Sequence, residues 1–145
     1  MLKLFKLAAL LGLITLLNTG CAVNRATASV DPGTNLAALK TMYVKQIPED
    51  DHTYKLIADK LRSKGVNVTT GTTAPPSGID AVVTYIDKWM WDITMYMLEL
   101  TITLRDPQND FPLATGNSFH TSLTRLSPTE MVNEVVENIY KGGTK

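Results

Sequence analysis

Residues 81–105, AVVTYIDKWMWDITMYMLELTITLR, contain two runs of strand-like alternation joined at Asp92-Ile93-Thr94. In the second run Tyr96, Leu98, Leu100, Ile102 and Leu104 fall on one side. Met95, Met97, Glu99, Thr101, Thr103 and Arg105 fall on the other, because successive strand side chains point to opposite faces. The first run is apolar on both faces at its start, as in a central strand, and its odd positions Ala81, Val83, Tyr85, Trp89 and Trp91 form a row. Asp92 is placed to accept a local backbone hydrogen bond and fix the turn between the runs. Two long adjacent strands make the fold sheet-based, and everything else is read outward from them.

Upstream, TMYVKQI at 41–47 predicts a strand stopped by Pro48. The acidic PEDD then opens a helix whose buried stripe is Tyr54, Ile57, Ala58 and Leu61, with Lys64 in its last turn and Gly65 at the left-handed C-terminal position. VNVTT at 66–70 is a short strand, and GTTAPPSG at 71–78 is a loop by composition. Downstream, DPQND at 106–110 turns into a final strand around 112–123. Ser127, Pro128 and Glu130 spell a capping box with proline at the first helical position. Met131, Val132, Val135, Val136 and Ile139 supply the stripe of that helix. The predicted architecture is α+β, a two-layer sandwich in the order βαββββα. Its mostly antiparallel sheet of about five strands carries two helices on one face.

The N-terminus carries an address. Lys3 and Lys6 precede the apolar run Leu7–Leu17, whose length is that of an export signal. The run ends in LNTGC, in which Thr19 and Gly20 stand before Cys21, the only cysteine. This pattern resembles the lipobox of bacterial lipoproteins, with Asn18 standing where leucine is usual. The resemblance implies cleavage before Cys21, diacylglycerol on its thiol, and a chain anchored to a membrane without spanning it. By resemblance to the sorting rule of enteric-type lipoproteins, Ala22 in place of Asp implies the periplasmic face of the outer membrane. The expected organisation is a signal peptide over 1–20, a lipidated cysteine and flexible tether over 21–35, and one α/β domain over 36–142. Removal of the signal takes the formal charge from zero to about minus two. With Lys and Arg scattered singly, no nucleic-acid footprint is expected.

From Tyr85, Trp89, Trp91, Asp92 and Tyr96 the chain resembles a family of small bacterial lipoproteins with a W-x-W-D strand motif. It bears a looser topological likeness to envelope accessory lipoproteins that activate cell-wall synthases or help build secretion pores. Neither resemblance implies an active site.

The residues themselves offer little catalytic chemistry. His120 and Ser122 share a strand face, but a relay also needs an orienting carboxylate and an oxyanion hole. Asp87 and Asp92 project from opposite faces and make no glycosidase pair. Met90, Met95 and Met97 suit soft Cu(I), yet no His or Cys accompanies them locally. No cofactor is expected. Trp89 and Trp91 have three candidate fates: burial beneath a helix, a contact patch for a protein, or stacking on a cell-wall sugar. Burial is expected for at least one of them. The candidate contact patch is Trp89, Trp91, Tyr96, Met95 and Met97. The function expected from all this is a non-enzymatic binding or accessory module for another envelope protein. The alternative is a lipoprotein that binds peptidoglycan sugars or a metal such as copper.

Overall fold

The computed structural model describes residues 24–48 and 52–142. The expected signal peptide, Cys21 and the acidic residues 49–51 lie outside them. The described chain is α+β, with strands β1 (Asn24–Val30), β2 (Thr41–Lys45), β3 (Asn67–Gly71), β4 (Ala81–Asp92), β5 (Thr94–Arg105) and β6 (Pro112–His120), and helices α1 (Thr53–Ser63) and α2 (Pro128–Gly142). The strands form one mixed sheet ordered β1-β6-β5-β4-β2-β3. β2 runs parallel to both β3 and β4, and the other neighbours are antiparallel.

This corrects the expected five-stranded sheet. Residues 24–30, expected as tether, form an edge strand registered against β6 from Asn24↔His120 to Val30↔Ala114. The final strand ends at His120, short of the expected 123. The other elements match the sequence pattern closely. Ser127 and Glu130 close the capping box in both directions: the Glu130 carboxylate accepts from the Ser127 amide at 2.8 Å, and the Glu130 amide donates to Ser127 Oγ at 3.3 Å. Gly65 adopts φ +84° after α1, a conformation that costs glycine nothing.

The helices lie side by side on one face. Ile57, Ala58 and Leu61 of α1 and Met131, Val132, Val135, Val136 and Ile139 of α2 are buried in one core with Val44, Val83, Leu100, Ile102 and Leu104 of the sheet. α2 sits so close to β6 that a Cβ on Gly116 would come within 2.8 Å of Val135 Cγ1. Lys60 and Lys64 of α1 both reach Glu137 of α2 at 2.7 Å. Their hydrogen bonds hold that carboxyl at about 2, against an ordinary 4.5. At the opposite end of β4 from its hairpin, Asp80 accepts from the Lys40 and Thr41 amides at 2.8 Å each and from Thr41 Oγ1 at 2.9 Å.

Alternation along β5 is broken once. Lys88 pairs with Glu99 but Trp89 pairs with Met97, so Leu98 is the extra residue of a β-bulge. Everything from Met97 toward the turn is thereby shifted to the other face. Met97, expected opposite the core, is fully buried within it, and Leu98 is only partly buried.

Candidate functional site

The long β4–β5 hairpin leaves the sheet at this bulge. β2 accompanies β4 only over Ala81–Val83, and β6 accompanies β5 only as far as Glu99. Past Lys88 and Glu99 the two strands pair with each other alone, and beyond Met97 their large apolar side chains other than Tyr96 are exposed. Trp89 is therefore 45% exposed and Trp91 69% exposed, which corrects the expectation that at least one lies under a helix. Met90, Ile93 and Met95 are exposed beside them. Of the five candidate contact residues, Trp89, Trp91 and Met95 are available, while Tyr96 and Met97 are buried.

The tip is braced from both sides. Asp87 Oδ2 accepts from Trp89 Nε1 at 3.1 Å and from Thr53 Oγ1 at 2.7 Å, which ties the exposed indole to the start of α1. Arg125, in the segment leading from β6 to α2, lies over the Tyr96 ring at 4.6 Å. It also donates to Thr94 Oγ1 at 2.8 Å and lies 3.7 Å from Asp92 Oδ2. Asp92, expected to fix the turn by a local hydrogen bond, thus forms an ion pair across to Arg125. At the apex Ile93 has φ +63°. A β-branched side chain is disfavoured in that region, where glycine or asparagine is usual.

The same geometry separates the three methionines. Met95 pairs with Trp91 on one face, Met90 pairs with Tyr96 on the other, and Met97 is in the core. They do not converge on one point. Among the described residues no group of three or more His, Cys, Asp and Glu side chains is arranged to hold a metal.

His120 and Ser122 do not form a relay. His120 is buried with its ring nitrogens 2.9 Å from Thr124 O and 2.9 Å from Glu134 Oε2, while Ser122 lies in a short 3₁₀ turn beyond the strand. Sequence reasoning missed the actual partners, Ser118 and Glu134. Ser118 Oγ donates to the same Glu134 oxygen at 2.5 Å, so serine and histidine both face the carboxylate and not each other. A nucleophile and its base must touch, and here they do not. The cluster pins β6 to α2. Two cues were readable: Ser118 lies two residues before His120, and Glu134 falls three after Met131, on the edge of the helix stripe. A shallow cleft of about 100 Å³ beside it is lined by Asn24, Arg25, Ala26, His120 and Glu134.

The sheet face opposite the helices carries a polar network centred on Glu99. Its carboxylate accepts from Lys88 Nζ at 2.6 Å and from Asn117 Nδ2 at 2.9 Å, with Arg25 at 3.9 Å. The Lys88 hydrogen bond, seconded by Asn117, holds the Glu99 carboxyl below its usual range against the opposing effect of burial. Asn117 Nδ2 also reaches Thr101 Oγ1 at 2.9 Å, and its Oδ1 is buried without a partner among the described residues. Beside this network Ile86 is 63% exposed, and Arg25 covers the Phe119 ring at 5.8 Å.

No family model matches the chain, and no curated protein is similar to it. Solved structures share the fold. The PelC dodecamer from Paraburkholderia phytofirmans superposes with a TM-score of 0.57 at 13% identity, over 83% of this chain and 97% of that one. A PelC variant in another crystal form gives 0.56 at 19% identity, over 81% and 97%. TolB from Acinetobacter baumannii gives 0.51 at 17% identity, over 84% of this chain but only 31% of TolB. At these identities the likeness is one of fold.

Proposed function

We propose that this protein is a lipid-anchored module of the bacterial outer membrane, facing the periplasm, that acts by contact on another envelope protein and performs no chemistry of its own. The observation that carries the reading is the uncovered sheet face. Ile86 stands exposed there beside Lys88, Glu99 and Asn117, whose positions are fixed by their mutual bonds, and Phe119 lies under Arg25. An exposed apolar anchor within a pre-ordered polar surround, with one acceptor unmet, has the anatomy of a protein contact. A shared fold is in keeping with this reading, since PelC is a dodecamer. The Ser118–His120–Glu134 cluster contributes to packing.

Two experiments test it. Replacing Cys21 with Ser should abolish fatty-acid labelling and release the protein from membranes; a wild-type chain that never takes up labelled palmitate refutes the anchor. A photo-crosslinking residue at position 86 of the full-length protein should give a covalent adduct with one envelope protein in cells, and Lys88→Glu should abolish it. Crosslinking that yields no protein from position 86 would rule out a partner on this face.

A further inference from the structure

The register of β1 places the beginning of the described chain at the same end of the sheet as the hairpin tip. Asn24 pairs with His120, and the next rung runs from Arg25 through Phe119 to Glu99, where the hairpin leaves the layer. Cys21 precedes Asn24 by three residues, so a fully extended link between them spans about 10 Å. From Lys88 to Ile93 the hairpin advances five residues, about 16 Å at the rise of a β-strand. The tip thus reaches farther than three extended residues can span. A lipid on Cys21 would hold the domain so close to the bilayer that the tip meets it.

The chemistry of the tip suits that position. Trp89, Met90, Trp91, Ile93 and Met95 are exposed together, with Ile93 at the apex 87% exposed. The sole charge between Trp89 and Met97 is Asp92, which faces Arg125. Lys88 and Arg25 stand where the tip joins the body, both beside Glu99. Tryptophan has a preference of its own for the membrane–water interface, where an apolar ring and a polar N–H are both accommodated. An isoleucine at positive φ, at the apex of the hairpin, spends backbone energy to present an apolar side chain where a turn residue would otherwise stand.

We infer that the Trp89–Met95 hairpin tip is a second membrane contact that inserts into the lipid interface of the leaflet holding the anchor. This rests on the proposed lipidation of Cys21. Two points of attachment on one end of a rigid domain fix its orientation, so the open sheet face stands at a set angle to the membrane.

Because Trp89 and Trp91 are the only tryptophans in the chain, indole emission reports on the tip alone. The experiment uses the full lipidated protein in vesicles of phosphatidylethanolamine and phosphatidylglycerol, with and without bromine on the upper acyl carbons. Expected are a blue shift on reconstitution, protection from acrylamide, and loss of emission to the brominated lipid. Ile93→Asp should reverse all three while the protein stays bound through its anchor. If the wild type floats with the vesicles but its emission remains that of water-exposed indole, the tip inference is overturned and the anchor stands. If the protein carries no fatty acid and fails to float, the anchor reading falls and the tip inference with it. A shift that appears only with envelope protein present, and never with lipid alone, overturns the inference in favour of a protein contact.

Discussion

The base and the tip of the β4–β5 hairpin are made of similar residues and meet opposite fates. At the base, Val83, Tyr85, Leu100, Ile102 and Leu104 are buried beneath two helices. At the tip, Trp89, Trp91 and Met95 continue the same rows on the same face, yet stand exposed where the neighbouring strands have ended. The bulge at Leu98 marks the boundary. Hydrophobicity therefore says that a side chain gains by being covered, and only the positions of the other elements say whether the domain itself covers it.

The sharpest way to break this contrast is to remove equivalent side chains from each half. Ile102→Ala should cost about 2–5 kcal/mol in a urea melt, since it empties fully buried volume. Trp89 and Trp91 replaced together by Ala should cost about 1 kcal/mol, chiefly from the Trp89–Asp87 hydrogen bond. A double variant that melts like Ile102→Ala would show the tip to be core after all.

The bulge itself is tested by neighbours. Met97→Thr should cost about 2–4 kcal/mol, because it leaves a cavity and buries a hydroxyl in a fully enclosed site, while Leu98→Thr should cost about 1 kcal/mol. Unbroken alternation requires the reverse order, so melts of the two variants decide the register.

Smaller effects mark how tightly the layered half is built. Gly116→Ala should cost about 1–3 kcal/mol by forcing α2 away from β6. Ser127→Ala should cost about 1 kcal/mol through loss of the N-cap. The weakest is the link between helices. Glu137 has its carboxyl depressed to about 2, so its stabilisation is present above pH 4.5 and fades as pH falls toward 2. Solvent screens this surface pair, so Glu137→Gln should lose about 0.5 kcal/mol at pH 7 and match wild type near pH 2.

What could be read in advance follows from which physical signals leave a pattern in residue type. The alternation of β5 from Leu100 to Leu104, the Ser127–Glu130 box and Gly65 each demand particular residues at fixed spacings, and these three are found as expected. β1 demanded nothing of the kind. Asn24 through Ser29 are exposed even in the strand, so their backbone pairing leaves no hydrophobic mark. The Leu98 bulge is silent for a related reason: inserting one residue needs no special side chain, yet it exchanges faces for everything beyond. For the candidate site, sequence singled out Trp89, Trp91 and Met95 by their chemistry. It could not show Tyr96 under Arg125 or Met97 in the core, because both depend on partners distant along the chain or on the shift in register.

The pairing of β1 with β6 also sets an order of events in time. Asn24 finds its partner in His120, close to the far end of the chain. Closing so long a loop is entropically costly, and strands of such wide separation join late. As the chain emerges from synthesis, Asn24–Val30 comes long before its partner strand and is expected to pair late. Until then β6 presents a raw edge, a template on which any extended peptide can add. The molecule completes its sheet by folding its own beginning onto that edge.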